Sequence, residues 1–321
     1  MHIDLPESEL RSYRSSQREP EDFDAFWAKT LAEARAEGGE VAAVPVATGL
    51  VSLDAFDVTF PGYYGEPIKA WLRVPRGADG PLPAVVQYAG YGGGRGHVLD
   101  NLVWASAGHA HLLMDTRGQG SVWTRGETPD SGPAGPQVPG VMTRGIEDPA
   151  TYYYRRLFTD AVRAVDAVRS LPQVDADRVA VVGHSQGAGT ALAVAALVPD
   201  LRAAVVHVPF LCDFPRAITF TDARPYREIT DYLAIHRHSA ENVHRTLSYM
   251  DGVNFALRAD VPAHFSAALM DDVTPPSTVF AAYNAYAGPK QIQVWPYNSH
   301  EAGGTDDIEE ALRFLAGRLR P

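Results

Sequence analysis

The sequence predicts an α/β fold, a mostly parallel sheet of about eight strands with helices on both faces. Three observations predict it. From Pro81 onward, short apolar runs alternate with longer helical patterns, the rhythm of a parallel sheet covered by crossover helices. Before them, two strand-like runs separated by a turn region add an antiparallel edge. One apolar run also ends in a glycine-framed serine that opens a helix of small residues.

The first segment, about residues 1–40, is a polar N-terminal extension. It carries a helix from about Glu21 to Glu37, because Phe23, Phe26, Trp27 and Leu31 recur at helical spacing. After Gly38-Gly39, Val51–Phe60 alternates apolar and polar residues, and Ile68–Val74 is its partner across the Gly62–Pro67 turn. The remaining strands are Ala84–Val86, Ala110–Met114, Val179–Val182, Ala203–Val208, Phe265–Leu269 and Ile292–Trp295. Helical patterns fall near Leu99–Ala107, Phe158–Ser170, Gln186–Leu197, Ser277–Tyr286 and Asp307–Leu319. Two stretches break the rhythm. Gly126–Pro149, rich in Gly, Pro, Thr and Asp, reads as a long ordered loop. Residues of about 210–258 form an aromatic and charged insertion that reads as a lid or interface. The whole of 1–321 reads as a single domain carrying these two additions.

Composition narrows the function. With 45% hydrophobic and 21% charged residues, the chain can bury a large core. The net charge is −11 and no Lys/Arg run stands out, which speaks against nucleic acid or an anionic membrane as partner. No stretch is apolar for the length a bilayer requires. The first residues lack the basic and apolar regions of a secretory signal. The single cysteine, Cys212, rules out an intrachain disulfide framework and reads as a buried structural residue rather than a catalytic thiol. A cytoplasmic protein is the expectation.

The chemistry centres on Gly183-His184-Ser185-Gln186-Gly187, a G-x-S-x-G nucleophile elbow. Such a pattern arises by chance in roughly 10–20% of chains this long, so its flanks decide. A β-branched run precedes it and a small-residue helix follows, as a strand–turn–helix elbow of the α/β-hydrolase fold requires. A serine needs a base and an orienting acid, expected later in the order acid, then histidine. Asp271 and Asp272 both follow Phe265–Leu269; Asp271 is first choice because it lies nearer the strand. His300, between the last strand and the last helix, is the base. The oxyanion donors are the backbone N–H of Gln186 and an amide from the glycine-rich loop Tyr88–Gly96. That loop has no P-loop lysine, so a nucleotide is a poor fit. His109 and His111 straddle a strand start and resemble a metal pair only superficially, and His236, His238 and His244 lack carboxylate or cysteine ligands at suggestive spacing. Neither metal nor cofactor is expected.

The chain resembles the acetyl xylan esterase and cephalosporin C deacetylase group, carbohydrate esterase family seven. The hallmarks Arg117-Gly118-Gln119-Gly120, Gly183-His184-Ser185-Gln186-Gly187 and His300-Glu301 are intact. YGGGRG (91–96), MDTRGQGS (114–121), DPATYYYRRLFTDAVRAVD (148–166), TLSYMDGVNFALRA (246–259) and PPSTVFAAYNAYAGPK (275–290) are also similar. The resemblance implies Ser185, Asp271 and His300 as triad, favours Asp271 over Asp272, and implies the Tyr91 and Gln186 amides as oxyanion hole. It implies that Arg117, Gln119 and Glu301 support the site, and that small acetylated substrates are deacetylated without a metal. Acetylated xylo-oligosaccharides and cephalosporin C are among those substrates. It also implies a homo-oligomer, a hexamer with active sites facing an inner chamber. His184 stands where many members carry glycine.

Overall fold

Alternate residues of the central strands point to opposite sides of the sheet, and here both sides are dry. Ala84, Val86, Val179, Val181, Ala204 and Val206 face the larger core, whereas Val85, Ala180, Val182, Ala203 and Val205 face a smaller one. Strands buried on both faces need no polar alternation, which is why these runs are continuously apolar.

The computed structural model describes residues 2–132 and 135–319. Its first elements are α1 (Glu7–Leu10), α2 (Phe23–Ala36), β1 (Ala42–Val46), β2 (Leu53–Pro61), β3 (Pro67–Pro75) and β4 (Leu82–Tyr88). There follow α3 (Val103–Ser106), β5 (Ala110–Met114), α4 (Tyr153–Arg169), β6 (Val174–His184), α5 (Gln186–Leu197) and β7 (Ala203–His207). The inserted region contributes α6 (Phe214–Phe220), α7 (Arg227–Ile235), α8 (Ala240–Ser248) and α9 (Gly252–Ala256). The chain ends with β8 (Ala263–Ala268), α10 (Pro276–Ala285), β9 (Lys290–Trp295) and α11 (Thr305–Leu319).

One sheet runs in the order β1-β2-β3-β5-β4-β6-β7-β8-β9. The pairs from β1 to β5 are antiparallel, and every pair from β5–β4 to β8–β9 is parallel. This is the α/β architecture expected, with nine strands among the described residues in place of about eight. The additional strand is β1. It lies at the sheet edge, largely exposed, so burial imposes no period-two pattern on it. Pro45, which cannot donate to a ladder, is tolerated there for the same reason. Helices α2, α4, α5 and α9 pack on the larger core, with α3 and α11 on the other face. The pattern at Leu99–Ala107 shortens to the single turn α3, and α4 starts at Tyr153 rather than Phe158. Tyr153, Tyr154, Arg155 and Arg156 are all buried, so the start of α4 shows no polar face to mark its period. Cys212 is buried in the larger core. Among the described residues, no helix is long and apolar enough to cross a membrane.

The loop 126–149, of which Pro133 and Ala134 lie outside the described residues, is held by a buried charge cluster. Asp130 accepts from Arg156 at 2.8 Å through both oxygens and from Arg144 at 2.8 Å, with Arg117 at 3.4 Å. Burial raises the Asp130 carboxyl, but the Arg156 and Arg144 hydrogen bonds outweigh it and leave it well below the ordinary carboxylate range. The folded state therefore binds this proton less readily than the unfolded chain. The resulting stability is present above the ordinary carboxylate range and is lost as pH falls towards the depressed value. Asp130→Asn leaves three guanidinium groups without their shared anion, at a cost of about 3–5 kcal/mol at neutral pH. Urea unfolding at pH 7 and pH 3 checks it: the deficit narrows at the lower pH, which lies below the ordinary carboxylate value. A variant as stable as wild type at pH 7 would refute this account.

Candidate active site

A parallel sheet gathers the carboxyl ends of its strands on one rim. The loops after β4, β6, β8 and β9 meet there.

Ser185 sits between β6 and α5 with φ 56° and ψ −121°, a conformation that side chains other than glycine rarely adopt. The strain is held from several sides. The Ser185 N–H donates to the His207 carbonyl at 3.0 Å, and the Ser185 carbonyl accepts from Phe210 N–H at 3.1 Å. The framing glycines are steric requirements. A Cβ on Gly183 would lie 2.1 Å from the Gly187 carbonyl carbon, and one on Gly187 would lie 2.1 Å from the Tyr88 oxygen. The same closeness brings the loop after β4 against the elbow.

The structure brings Ser185, His300 and Asp271 together. His300 Nδ1 donates to Asp271 Oδ2 at 2.9 Å, which leaves Nε2 to accept from Ser185 Oγ at 3.0 Å. Asp271 is fully buried, and its Oδ1 accepts from the Val273 and Thr274 amides at 2.8 and 2.9 Å. Its Oδ2 also accepts from the Thr274 hydroxyl at 2.6 Å. Asp272, the alternative, is exposed, and its backbone carbonyl accepts from the Thr221 hydroxyl. The loops bearing Asp271 and His300 are tied by Met270 N–H donating to the Asn298 carbonyl at 3.1 Å.

Neither the Tyr91 nor the Gln186 backbone N–H has an acceptor among the described residues; Tyr91 lines the cleft beside the serine, and Gln186 follows the serine in the chain. Gln119 braces this pair. Its Oε1 accepts from Gly92 N–H at 2.7 Å, and its Nε2 donates to Tyr153 Oη and Gln186 Oε1, both at 2.9 Å. The Gln186 side chain also accepts from Tyr154 Oη and donates to the Ala89 carbonyl. Arg117 lies fully buried and away from the serine, paired with Asp160 and Glu66. Glu301 is exposed and accepts from Asn298 and Ser299 within the His300 loop.

Above the serine opens a cleft of about 760 Å³. Its walls include His184, Trp123, Gly140, Arg224 and Glu228. The His184 ring stands 5.2 Å from that of His300, edge to face. Glu228 of α7 accepts from Tyr91 Oη at 2.8 Å, and that oxygen in turn accepts from Val141 N–H at 2.8 Å. Burial raises the Glu228 carboxyl, against the Tyr91 and Met142 hydrogen bonds that lower it. The insertion and the long loop thus clamp the residue whose amide flanks the serine. Sequence reasoning missed Trp123, Arg224, Glu228, Tyr153 and Tyr154; a run of three tyrosines entering a helix was the only signal.

Fold and site together have the form of the α/β-hydrolase class, a serine on a strand–helix elbow faced by an imidazole and a carboxylate. The family model described as acetyl xylan esterase (AXE1) matches residues 1–318, and the chain belongs to that family of carboxylic ester hydrolases. Acetyl esterase Axe7A of Xylanibacter ruminicola is 30% identical over 287 residues, 88% of this chain. The chain spans 64% of the length of that curated relative. The solved acetyl xylan esterase from Paenibacillus sp. R4 superposes with a TM-score of 0.93 at 39% identity, over 98% of this chain and 100% of that one. Acetyl xylan esterase 1 from Thermoanaerobacterium sp. JW/SL YS485 gives 0.91 at 35%, over 99% and 100%.

Proposed function

We propose that the protein is a serine esterase that removes acetyl groups from small substrates through an acetyl-enzyme, acetylated xylo-oligosaccharides and cephalosporin C-like esters among them. The observation that carries this reading is the unbroken relay from Asp271 through His300 to Ser185, at 2.9 and 3.0 Å, on the floor of an open cleft. Ser185 Oγ attacks the acetyl carbonyl while His300 Nε2 takes its proton and Asp271 steadies the imidazolium. The Tyr91 and Gln186 amides receive the developing oxyanion. His300 then protonates the departing alcohol, and water, deprotonated by the same imidazole, releases acetate and restores the serine.

Family membership and the esterase neighbours support acetyl as the acyl group. Trp123, 57% exposed at the mouth of the cleft, offers a ring face against which a sugar can pack. The resemblance further supports a hexamer, and the single cysteine supports a reducing, cytoplasmic setting. Aryl acetate, butyrate and octanoate esters compared by kcat/KM test the acyl preference. Acetate is expected to lead butyrate by about tenfold or more, since each misplaced methylene is worth roughly 1–3 kcal/mol. A preference for the longer chains, or cleavage of peptide substrates in place of esters, would overturn the reading.

A further inference from the structure

On the sheet face away from α4 and α5, three side chains far apart in sequence meet beneath the His300 loop. His207 ends β7, His264 lies on β8, and Asp307 is in the first turn of α11. One donor atom from each lies within 4.8 Å of the others. All are buried, at 7%, 3% and 2% exposure. The Nε2 atoms of both histidines have no hydrogen-bond partner among the described residues. Neither does the Oγ of Ser266, which shares a strand face with His264 and is level with His207 in the β7–β8 ladder.

Buried polar atoms left unpaired carry their full desolvation penalty. Asp307 adds a buried carboxylate that accepts from uncharged donors among the described residues. Its oxygens accept from Trp295 Nε1 and Gly303 N–H, each at 2.9 Å. The partner that satisfies two imidazole lone pairs and one carboxylate at once is a cation. Two nitrogens and an oxygen suit zinc and similar transition ions, whereas calcium and magnesium seek oxygen shells. His264 also has the outer hydrogen bond typical of a ligating imidazole. The Gln291 side-chain amide meets its Nδ1 through Nε2 at 3.0 Å; turned end for end, the same amide accepts Nδ1–H through its oxygen and frees the imidazole Nε2 for a cation. A cleft of about 410 Å³, lined in part by His207, Asp307, Glu301 and His184, gives a way in.

We propose that His207, His264 and Asp307 form a binding site for a divalent transition-metal ion of the zinc class, with a structural role. Its ligands touch the supports of all three proposed catalytic groups. The His207 carbonyl holds the Ser185 amide, β8 leads to Asp271, and Asp307 holds the two ends of the loop that bears His300. The ion would therefore position the triad without touching the reacting atoms.

Tag-free full-length protein, stripped with a chelator and dialysed against zinc chloride, tests this. Wild type is expected to retain one zinc per chain and to melt at a higher temperature with zinc than without. His264→Gln and Asp307→Asn are expected to bind at least about tenfold more weakly and to lose the zinc-dependent shift in melting. Cobalt in wild type supplies a readout that needs no variant: a visible ligand-field band that zinc abolishes. Zinc retained equally by the variants means surface histidines bind it, and the proposal fails. No zinc retained by wild type, or no cobalt band, means that water serves these atoms, and it fails equally.

Discussion

Ser185→Ala lowers kcat for an aryl acetate by about a millionfold, the scale on which loss of a serine nucleophile is felt when its base and oxyanion donors remain. The structure explains why the fold survives the change. The elbow is held by backbone bonds of Ser185 and by the close approach of Gly183 and Gly187 to their neighbours, none of which involves the hydroxyl. Alanine inherits the strained φ of 56° and loses only the bond to His300. Steady-state kinetics beside an unchanged circular dichroism spectrum is the check, with loss of labelling by an organophosphate probe as companion. Activity within tenfold of wild type would remove the serine from the mechanism.

Asp271→Asn lowers kcat by about ten-thousandfold. Two backbone N–H groups point at Oδ1, so an asparagine cannot place its NH₂ there without setting donor against donor. The NH₂ must occupy the Oδ2 position and donate to His300 Nδ1. That bond demands the tautomer with its proton on Nε2, which has no lone pair for the serine proton. Thr274 can rotate its hydroxyl to follow, so the fold tolerates the change. Asp272→Asn is the control and stays near wild type, because its carboxylate is exposed. A variant within tenfold of wild type would show that the carboxylate does not set the tautomer.

Much of the scaffold was legible because burial on both faces writes itself into sequence as apolar runs and small-residue helices. α5 was found with its observed bounds, Gln186–Leu197, because nearly every residue in it is buried against the sheet or neighbouring helices. β1 was missed because its exposed edge position leaves no burial pattern and Pro45 argues against a strand. The first turn of α4 was missed because Tyr153, Tyr154, Arg155 and Arg156 are all inward, their polar ends satisfied by partners far along the chain. The three residues of the relay each follow a strand at the carboxyl rim, so order along the chain was enough to nominate them. The cleft walls had no such rule. Trp123, Arg224 and Glu228 lie in excursions whose path depends on packing, and His207, His264 and Asp307 come from three separate elements.

Local patterning was sufficient for the elements, the elbow and the order of serine, acid and histidine, because each depends on neighbours a few residues away. Only the tertiary structure decided what clamps Tyr91 and which buried polar groups share a pocket. Those outcomes depend on where distant loops cross, and no short-range pattern encodes the distance between β7, β8 and α11.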